Sequence, residues 1–179
     1  MRRYSGRENT TSGEACALIR SIPDLAKPGC YVLLLRLPAQ RSIRVGKLGT
    51  FLFAPGRYLY VGSALGGLAR RLARYFGSQR ILRWHIDYLL RFAEMEQIWY
   101  SIGLERRECA VSRLLSGATR VSAVGFGSSD CDCVSHLFRA ERQTARVKRL
   151  LPASSGWRYL VRKSGTRQGF VSTTKEATR

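Results

Sequence analysis

The chain has 179 residues, and with 45% hydrophobic and 24% charged residues it is neither a wholly disordered chain nor an acidic solvating protein. Its formal net charge is +19, and 26 of its 31 basic residues are arginine, which favours a nucleic-acid partner because a planar guanidinium binds phosphate in two places. No apolar run reaches the roughly 18 residues that a membrane span needs, and the polar N-terminus does not resemble a signal peptide, so we expect a soluble, cytoplasmic protein with no membrane partner.

The first part of the chain predicts a polar leading segment followed by strands. Residues 1–28 are rich in Arg, Ser, Thr and Glu, which indicates an N-terminal arm or a capping segment. The run CYVLLLRL at 30–37 is apolar and short, as is typical of a buried strand. Residues 42–45 and 57–61 predict two further strands.

Helices dominate the prediction for the middle of the chain. After residue 67 the apolar period changes from two to 3.6, which indicates an amphipathic helix with a basic side. The later elements are a helix over 84–92, a strand over 97–102, a helix over 108–115, a short strand and a Gly/Ser loop from 121, and a last helix around 133–139. Together they predict an α/β (α+β) domain at 29–140, with a small antiparallel or mixed sheet flanked by helices.

The last 39 residues, 141–179, hold 10 basic and 2 acidic residues and few apolar ones. This composition predicts a basic, largely flexible tail with one short ordered or strand-adding segment at 157–161. Clustered positive charge gives salt-sensitive affinity for a nucleic-acid backbone whatever its base sequence. The tail residues expected to contact phosphates are Lys148, Arg149, Arg158, Arg162 and Lys163.

Four side chains have the types and the placement expected of a site that cleaves phosphodiesters. Tyr31 and Tyr60 lie on predicted strands, Arg71 lies on the next helix, and Glu108 opens a later helix. Such chemistry needs a group that activates the nucleophile, a guanidinium that holds the phosphoryl oxygens and a carboxylate that holds a divalent metal. Arg70 is an alternative to Arg71, because a shift of one residue decides which of them faces the site.

The motifs Gly29-Cys30-Tyr31 and Tyr60-Val61-Gly62 resemble those of the GIY-YIG nuclease superfamily. The strings FAPGRYLYVGSALGGLARRLARYF, RWHIDYLL, RECAVSRLL and VGFGSSDCDCVSHLF are similar to the subfamily known as domain of unknown function 123. The resemblance implies a central antiparallel sheet flanked by helices and a DNA endonuclease, acting on structured or damaged DNA in repair. It also implies catalytic roles for Tyr31, Tyr60 and Arg71, and one Mg²⁺ or Mn²⁺ ion on Glu108.

Three features depart from the superfamily pattern. The first motif reads GCY, the two motif tyrosines are 29 positions apart, and Tyr75 stands where many members have a histidine. The long spacing predicts an inserted hairpin or loop that covers or reshapes the site. A phenol is a poor proton shuttle near neutral pH, since its usual pKa is about 10. The alternative function is therefore a nucleic-acid-binding module that has lost cleavage.

His85 has two interpretations. It is too near Asp87 in sequence for both to lie on one helix face. In one interpretation Trp84, Tyr88 and Leu89 are core residues and His85 is bonded locally. In the other, His85 is catalytic and supplies the histidine that is missing at position 75.

The segment Asp130-Cys131-Asp132-Cys133, with His136, contains ligand types that suit zinc. The spacing is unusual, and a fourth ligand requires Cys109 to fold nearby, so we expect packing and loop-fixing hydrogen bonds rather than zinc. All five cysteines are expected to be reduced thiols. Ser128, Ser129 and Asp130 are instead candidates to lie beside the phosphate.

Further residues are expected to contact nucleic acid around the second motif. Gly62 would let a phosphate approach the backbone closely. Ser63, Arg70 and Arg74 flank it in sequence and offer a hydroxyl and two guanidinium groups. The sequence leaves the oligomeric state open.

Overall fold

The computed structural model describes residues 9–77, 81–140, 144–162 and 170–172. Its helices are α1 (Asn9–Ser21), α2 (Leu68–Arg74), α3 (His85–Leu90), α4 (Glu108–Ser116) and α5 (Thr144–Leu150). Its strands are β1 (Gly29–Leu37), β2 (Arg41–Val45), β3 (Gly49–Phe53), β4 (Gly56–Ala64), β5 (Glu94–Ile102), β6 (Arg120–Val121), β7 (Leu137–Arg139), β8 (Trp157–Arg162) and β9 (Phe170–Ser172). Short 3₁₀ turns lie at Pro23–Ala26 and Ala153–Ser155.

Seven strands form one antiparallel sheet in the order β6-β7-β4-β1-β5-β8-β9. The central strand β1 is buried along almost its whole length, as its apolar run predicts. Helices cover both faces of the sheet, so the predicted fold class is confirmed. Within the described ranges, no helix is both long and apolar enough to cross a bilayer.

Alternation along β1 separates two cores. Tyr31, Leu33 and Leu35 face the core that α1, α2 and α3 cover. Cys30 and Val32 face the opposite core, which α4 and α5 cover. On β1 the odd-numbered residues face the first core and the even-numbered residues face the second. On the neighbouring strand β4 this assignment is reversed.

The segment predicted as an arm contains the helix α1. Ala15 and Ile19 of this helix and Leu25 of the following turn are buried in the first core, where α1 packs on α2. Residues 1–8 lie outside the described residues. The sequence does not predict this helix, because α1 contains few apolar residues and so lacks a clear apolar period.

The insertion between the two motifs forms the predicted hairpin. β2 and β3 pair with each other in a separate two-stranded sheet. Ile43, Val45 and Phe53 bury their side chains in the first core, and the hairpin packs on α3. The insertion therefore belongs to the wall around the tyrosine motifs.

The prediction of a helix around 133–139 is wrong. Residues 122–136 form an extended loop, and β7 then pairs with β4 from Tyr58 to Tyr60. Leu137 and Phe138 are buried in opposite cores, a period of two that favours a strand over a helix. The backbone N–H of Val61 continues the pairing by donating to the carbonyl of His136.

Part of the predicted tail belongs to the sheet. The strand-adding segment predicted at 157–161 is confirmed as β8, which pairs with β5. Trp157 and Leu160 are buried, and Val147 of α5 lies in the second core. Residues 141–143, 163–169 and 173–179 lie outside the described residues.

Candidate active site and cysteine cluster

Three buried tyrosines meet beneath α2. The hydroxyls of Tyr31 and Tyr75 are 2.5 Å apart, and either can donate to the other. The Tyr31 ring centre lies 6.0 Å from that of Tyr75 and 6.5 Å from that of Tyr60. The structure thus brings both motif tyrosines together and adds Tyr75, the residue that occupies the expected histidine position.

Burial keeps these phenols neutral at physiological pH. It raises the pKa of Tyr31 and Tyr60 well above the usual value, and the neighbouring Tyr75 adds to both shifts. Burial likewise raises the pKa of Tyr75. Neutral phenols donate and accept hydrogen bonds, whereas a phenolate base is disfavoured here.

Gly62 makes room for a tyrosine ring. It pairs with Tyr31 across β4 and β1, and a Cβ at Gly62 would lie 2.5 Å from the Cζ of Tyr31. The sequence predicts that this glycine lets a phosphate approach the backbone, whereas in the structure the Tyr31 side chain fills the space beside its Cα.

Arg71 links the buried tyrosines to the surface. Its positive charge lowers the otherwise raised pKa of Tyr31, Tyr60 and Tyr75, and its guanidinium carbon lies 4.7 Å from the centre of the Trp84 ring. Gly67 has a φ of 98°, a left-handed conformation that suits glycine, and α2 begins immediately after it. This start sets the register that turns Arg71 toward the tyrosines.

An open cleft of about 330 Å³ lies over this arginine. It is lined by Ala64, Gly66, Gly67, Arg70, Arg71, Arg74, Arg83 and Trp84. Among the residues that the structure describes, Arg70, Arg71 and Arg83 have no acidic partner. The cleft therefore offers positive charge beside an exposed aromatic ring, and Trp84 is 39% exposed rather than part of the core.

Asp87 organises one wall of the cleft. Its carboxylate accepts hydrogen bonds from Arg74 Nη2 at 2.7 and 2.9 Å and from the backbone N–H groups of Arg83 and Trp84. The last two bonds close the first turn of α3. Arg74 is thus neutralised, so it contributes less to an anion site than its neighbours.

His85 is bonded to the loop that contains Gly127, a partner distant in sequence. Its Nδ1 accepts a hydrogen bond from the backbone N–H of Gly127 at 2.9 Å. Burial lowers the pKa of His85, and a hydrogen bond with the Gly125 backbone opposes this shift. In the neutral ring the proton then sits on Nε2, which leaves no free lone pair to take a proton from water.

Glu108 lies on the second face of the sheet. It occupies the first turn of α4, and its charge contributes to raising the pKa of Cys30 to about 12, mainly through burial of that thiol. Its Oε2 is buried and has no hydrogen-bond partner among the described residues. Ser63 alternates with Gly62 along β4 and therefore also faces this side.

The loop 122–136 contacts residues on both sides of the sheet. A Cβ at Gly127 would lie 3.0 Å from the Tyr60 ring and 3.1 Å from Cβ of His136. Burial raises the pKa of Tyr60, and the charge of Asp130 adds to this shift. Burial lowers the pKa of His136, and the charges of Glu108 and Asp130 oppose that shift. Asp130 and Ser129 are exposed, whereas Ser128 is buried.

Cys109, Cys131, Cys133 and His136 lie together. One ligand atom from each lies within 4.8 Å of all the others, and Cys131 Sγ is 3.5 Å from His136 Nε2. Burial, and then the Cys133 and Cys131 thiols, raise the pKa of Cys109 to about 12. The sequence required Cys109 to fold nearby for a four-ligand site, and the structure brings it there.

The basic residues of the C-terminal segment differ in how far their charge is compensated. Arg158 pairs with Asp24, and Arg162 with Glu94 at 2.9 Å. Lys148 lies over the Tyr159 ring, and Arg149 is exposed. Lys163 lies outside the described residues.

The sequence pattern does not indicate two contributors to the cleft, and one of its two interpretations places a third, Trp84, in the core. The two are Asp87, for which the sequence suggests only a pairing with His85, and Arg83. Trp84 follows Arg83 directly and precedes α3, which places both at the helix N-terminus beside the cleft. Their position at the start of a predicted helix is the feature of the sequence that could have identified them.

The comparisons with known proteins identify a family. A family model described as Domain of unknown function DUF123 matches residues 30–156, more than two thirds of the chain. No curated protein matches the chain, and no solved structure does. The matched range contains the tyrosines, the arginine cleft, Glu108 and the cysteine cluster. The chain therefore belongs to the DUF123 family.

Proposed function

We propose that the chain is a metal-dependent endonuclease of the GIY-YIG type that hydrolyses phosphodiester bonds in DNA. The observation that carries the proposal is Arg71, which lines an arginine-rich cleft and whose charge acts on the buried tyrosines beneath it. The motif resemblance supports the same reaction, since its tyrosines and arginine are the residues that meet here.

In this proposal Arg71 holds the phosphoryl oxygens of the scissile phosphate, because a guanidinium stabilises the negative charge that grows there during cleavage. Tyr31 and Tyr75, hydrogen-bonded to each other, form the neutral polar floor beside the guanidinium. Arg70 and Arg83 bind flanking phosphates.

Trp84 adds a preference for an unpaired base. Its ring is partly exposed in the cleft, and the guanidinium carbons of Arg71 and Arg83 lie 4.7 and 5.5 Å from its centre, so a stacked base would take the place of one of them. Stacking of a base on an aromatic ring contributes about 1–3 kcal/mol, and it requires the base to leave the duplex. Structured or damaged DNA, in which bases are already unpaired, is therefore the proposed substrate.

Glu108 fits the role of ligand for Mg²⁺ or Mn²⁺. Its buried Oε2 has no partner within the described part of the chain, and hard oxygen ligands suit these ions. A bound ion there would supply positive charge to phosphoryl oxygens that reach this face of the sheet. The charges of Asp130 and Glu108 both raise the pKa of His136, which burial lowers. Asp130 is therefore a second carboxylate near His136.

A binding module without cleavage is the second candidate, and two observations favour it. Tyr31 is fully buried with its hydroxyl engaged by Tyr75, so it offers nothing to a water in the cleft. Glu108 lies on the opposite face of the sheet from Arg71. In this alternative the cleft binds DNA and the phosphodiester stays intact.

Cleavage of end-labelled single-stranded, duplex and branched DNA, with Mg²⁺ or Mn²⁺, tests the proposal. We expect Arg71→Lys to lower the rate by about 100-fold, as loss of one preorganised donor does. The matched change Arg70→Lys should lower it less than tenfold. Equal losses would contradict the assigned role of Arg71, and binding without cleavage on every substrate would favour the binding module.

A further inference from the structure

The cluster of Cys109, Cys131, Cys133 and His136 has the chemistry of a zinc site. Three thiols and one imidazole form a soft ligand set that suits zinc far better than magnesium or calcium. All three cysteines are free of disulfides in the structure. The cluster is distinct from Glu108, whose carboxylate is not one of its ligand atoms.

The distances fit a tetrahedral ion. Bonds of about 2.3 Å to sulfur and about 2.0 Å to nitrogen place tetrahedral ligand atoms roughly 3.5–3.8 Å apart. Cys131 Sγ and His136 Nε2 are already 3.5 Å apart, and no pair among the four exceeds 4.8 Å. Side-chain shifts of about 1 Å or less therefore close the site.

A metal ion at this place would crosslink a long loop to a helix. Residues 122–136 are a long loop without helix or strand, and loops of this length are uncommon in a compact domain and are often functional. Three of the four ligands come from the end of this loop, and the fourth comes from the first turn of α4. An ion would join the loop to the helix, where Ser112 of α4 already donates a hydrogen bond to the carbonyl of Ser135.

The geometry points to a structural zinc ion bound by Cys109, Cys131, Cys133 and His136. Four protein ligands fill a tetrahedral ion, and this leaves no position for water or substrate. Its effect is to hold the loop that contacts Tyr60 and His85 against the helix that begins with Glu108. The site does not depend on nuclease activity, because metal content and stability report on it directly.

Metal analysis of the full-length protein tests this site. We expect one zinc ion per chain after purification under reducing conditions from medium containing zinc, iron and manganese. The double variant Cys131→Ser/Cys133→Ser should lose the zinc. Cys16→Ser, whose thiol lies on α1 outside the cluster, should keep it.

Two further measurements cover the case in which the double variant does not fold. His136→Cys should retain one zinc ion, because four thiolates also bind zinc tetrahedrally. Wild-type protein loaded with Co²⁺ should show the absorption bands of a tetrahedral cobalt thiolate, and a strong chelator should lower its melting temperature by more than ~10 °C.

The inference is overturned if wild-type protein contains no zinc, takes up no Co²⁺ and keeps its melting temperature in chelator. It is also overturned if Cys16→Ser loses zinc as completely as the double variant. Neither result bears on DNA cleavage, so this inference and the proposed nuclease function can fail separately.

Discussion

Replacing Asp87 by asparagine tests how the cleft is held together. Asp87 is 1% exposed, and its carboxylate accepts bonds of 2.7–2.9 Å from Arg74, Arg83 and Trp84. Asn keeps the size of the side chain, but it removes the charge and points an N–H₂ group at one of these donors.

The expected cost is about 2–3 kcal/mol of unfolding free energy. Breaking a fully buried ion pair costs 3–5 kcal/mol, and we reduce this figure because Arg74 is 31% exposed and can rehydrate. The matched control is Glu105→Gln. Glu105 is 73% exposed and pairs with Arg107 at the surface, so this change should cost less than about 0.5 kcal/mol.

Urea denaturation of both variants measures this difference. The midpoint should fall for Asp87→Asn at an unchanged m-value, and it should stay near the wild-type value for Glu105→Gln. The reasoning is refuted if Asp87→Asn lies within about 0.5 kcal/mol of wild type, because the carboxylate would then contribute no more than a surface charge.

Three other outcomes are expected. Gly62→Ala should cost about 1–3 kcal/mol and displace the Tyr31 ring, measured as a lower melting temperature; an unchanged value would mean that the ring shifts freely. Because burial lowers the folded-state pKa of His85, the unfolded state binds more protons below about pH 6.5, so acidification should destabilise wild type more than His85→Gln; parallel pH profiles would contradict this. Lys148→Gln/Arg149→Gln should reduce the slope of log affinity for DNA against log salt by about 1.4–1.8, and an unchanged slope would remove both residues from the interface.

Strong periodicity made the centre of the fold predictable. The apolar run of β1, the 3.6-residue period of α2 and the helix from Glu108 are all where the sequence indicates them. These elements bury continuous apolar faces, so the pattern and the packing agree. The odd positions of β1 and the even positions of β4 face the same core and bring the motif tyrosines together.

Elements that depend on tertiary contacts were harder to predict. α1 has a weak apolar pattern and is held by the few side chains that reach α2. β7 exists because the edge of β4 offers it backbone partners. The approach of Cys109 to Cys131 depends on a loop whose path no local pattern encodes. Likewise, only the assembled helix start shows that Asp87 binds Arg74.

Cleavage by wild type and Glu108→Gln, on the preferred labelled DNA with Mg²⁺ or Mn²⁺, tests the central claim most directly. Glu105→Gln, a neighbouring surface carboxylate, is the control. The account predicts metal-dependent cutting that Glu108→Gln abolishes and Glu105→Gln retains, with DNA binding kept in both. Equal cutting by wild type and Glu108→Gln, or none by any of the three proteins, would contradict it.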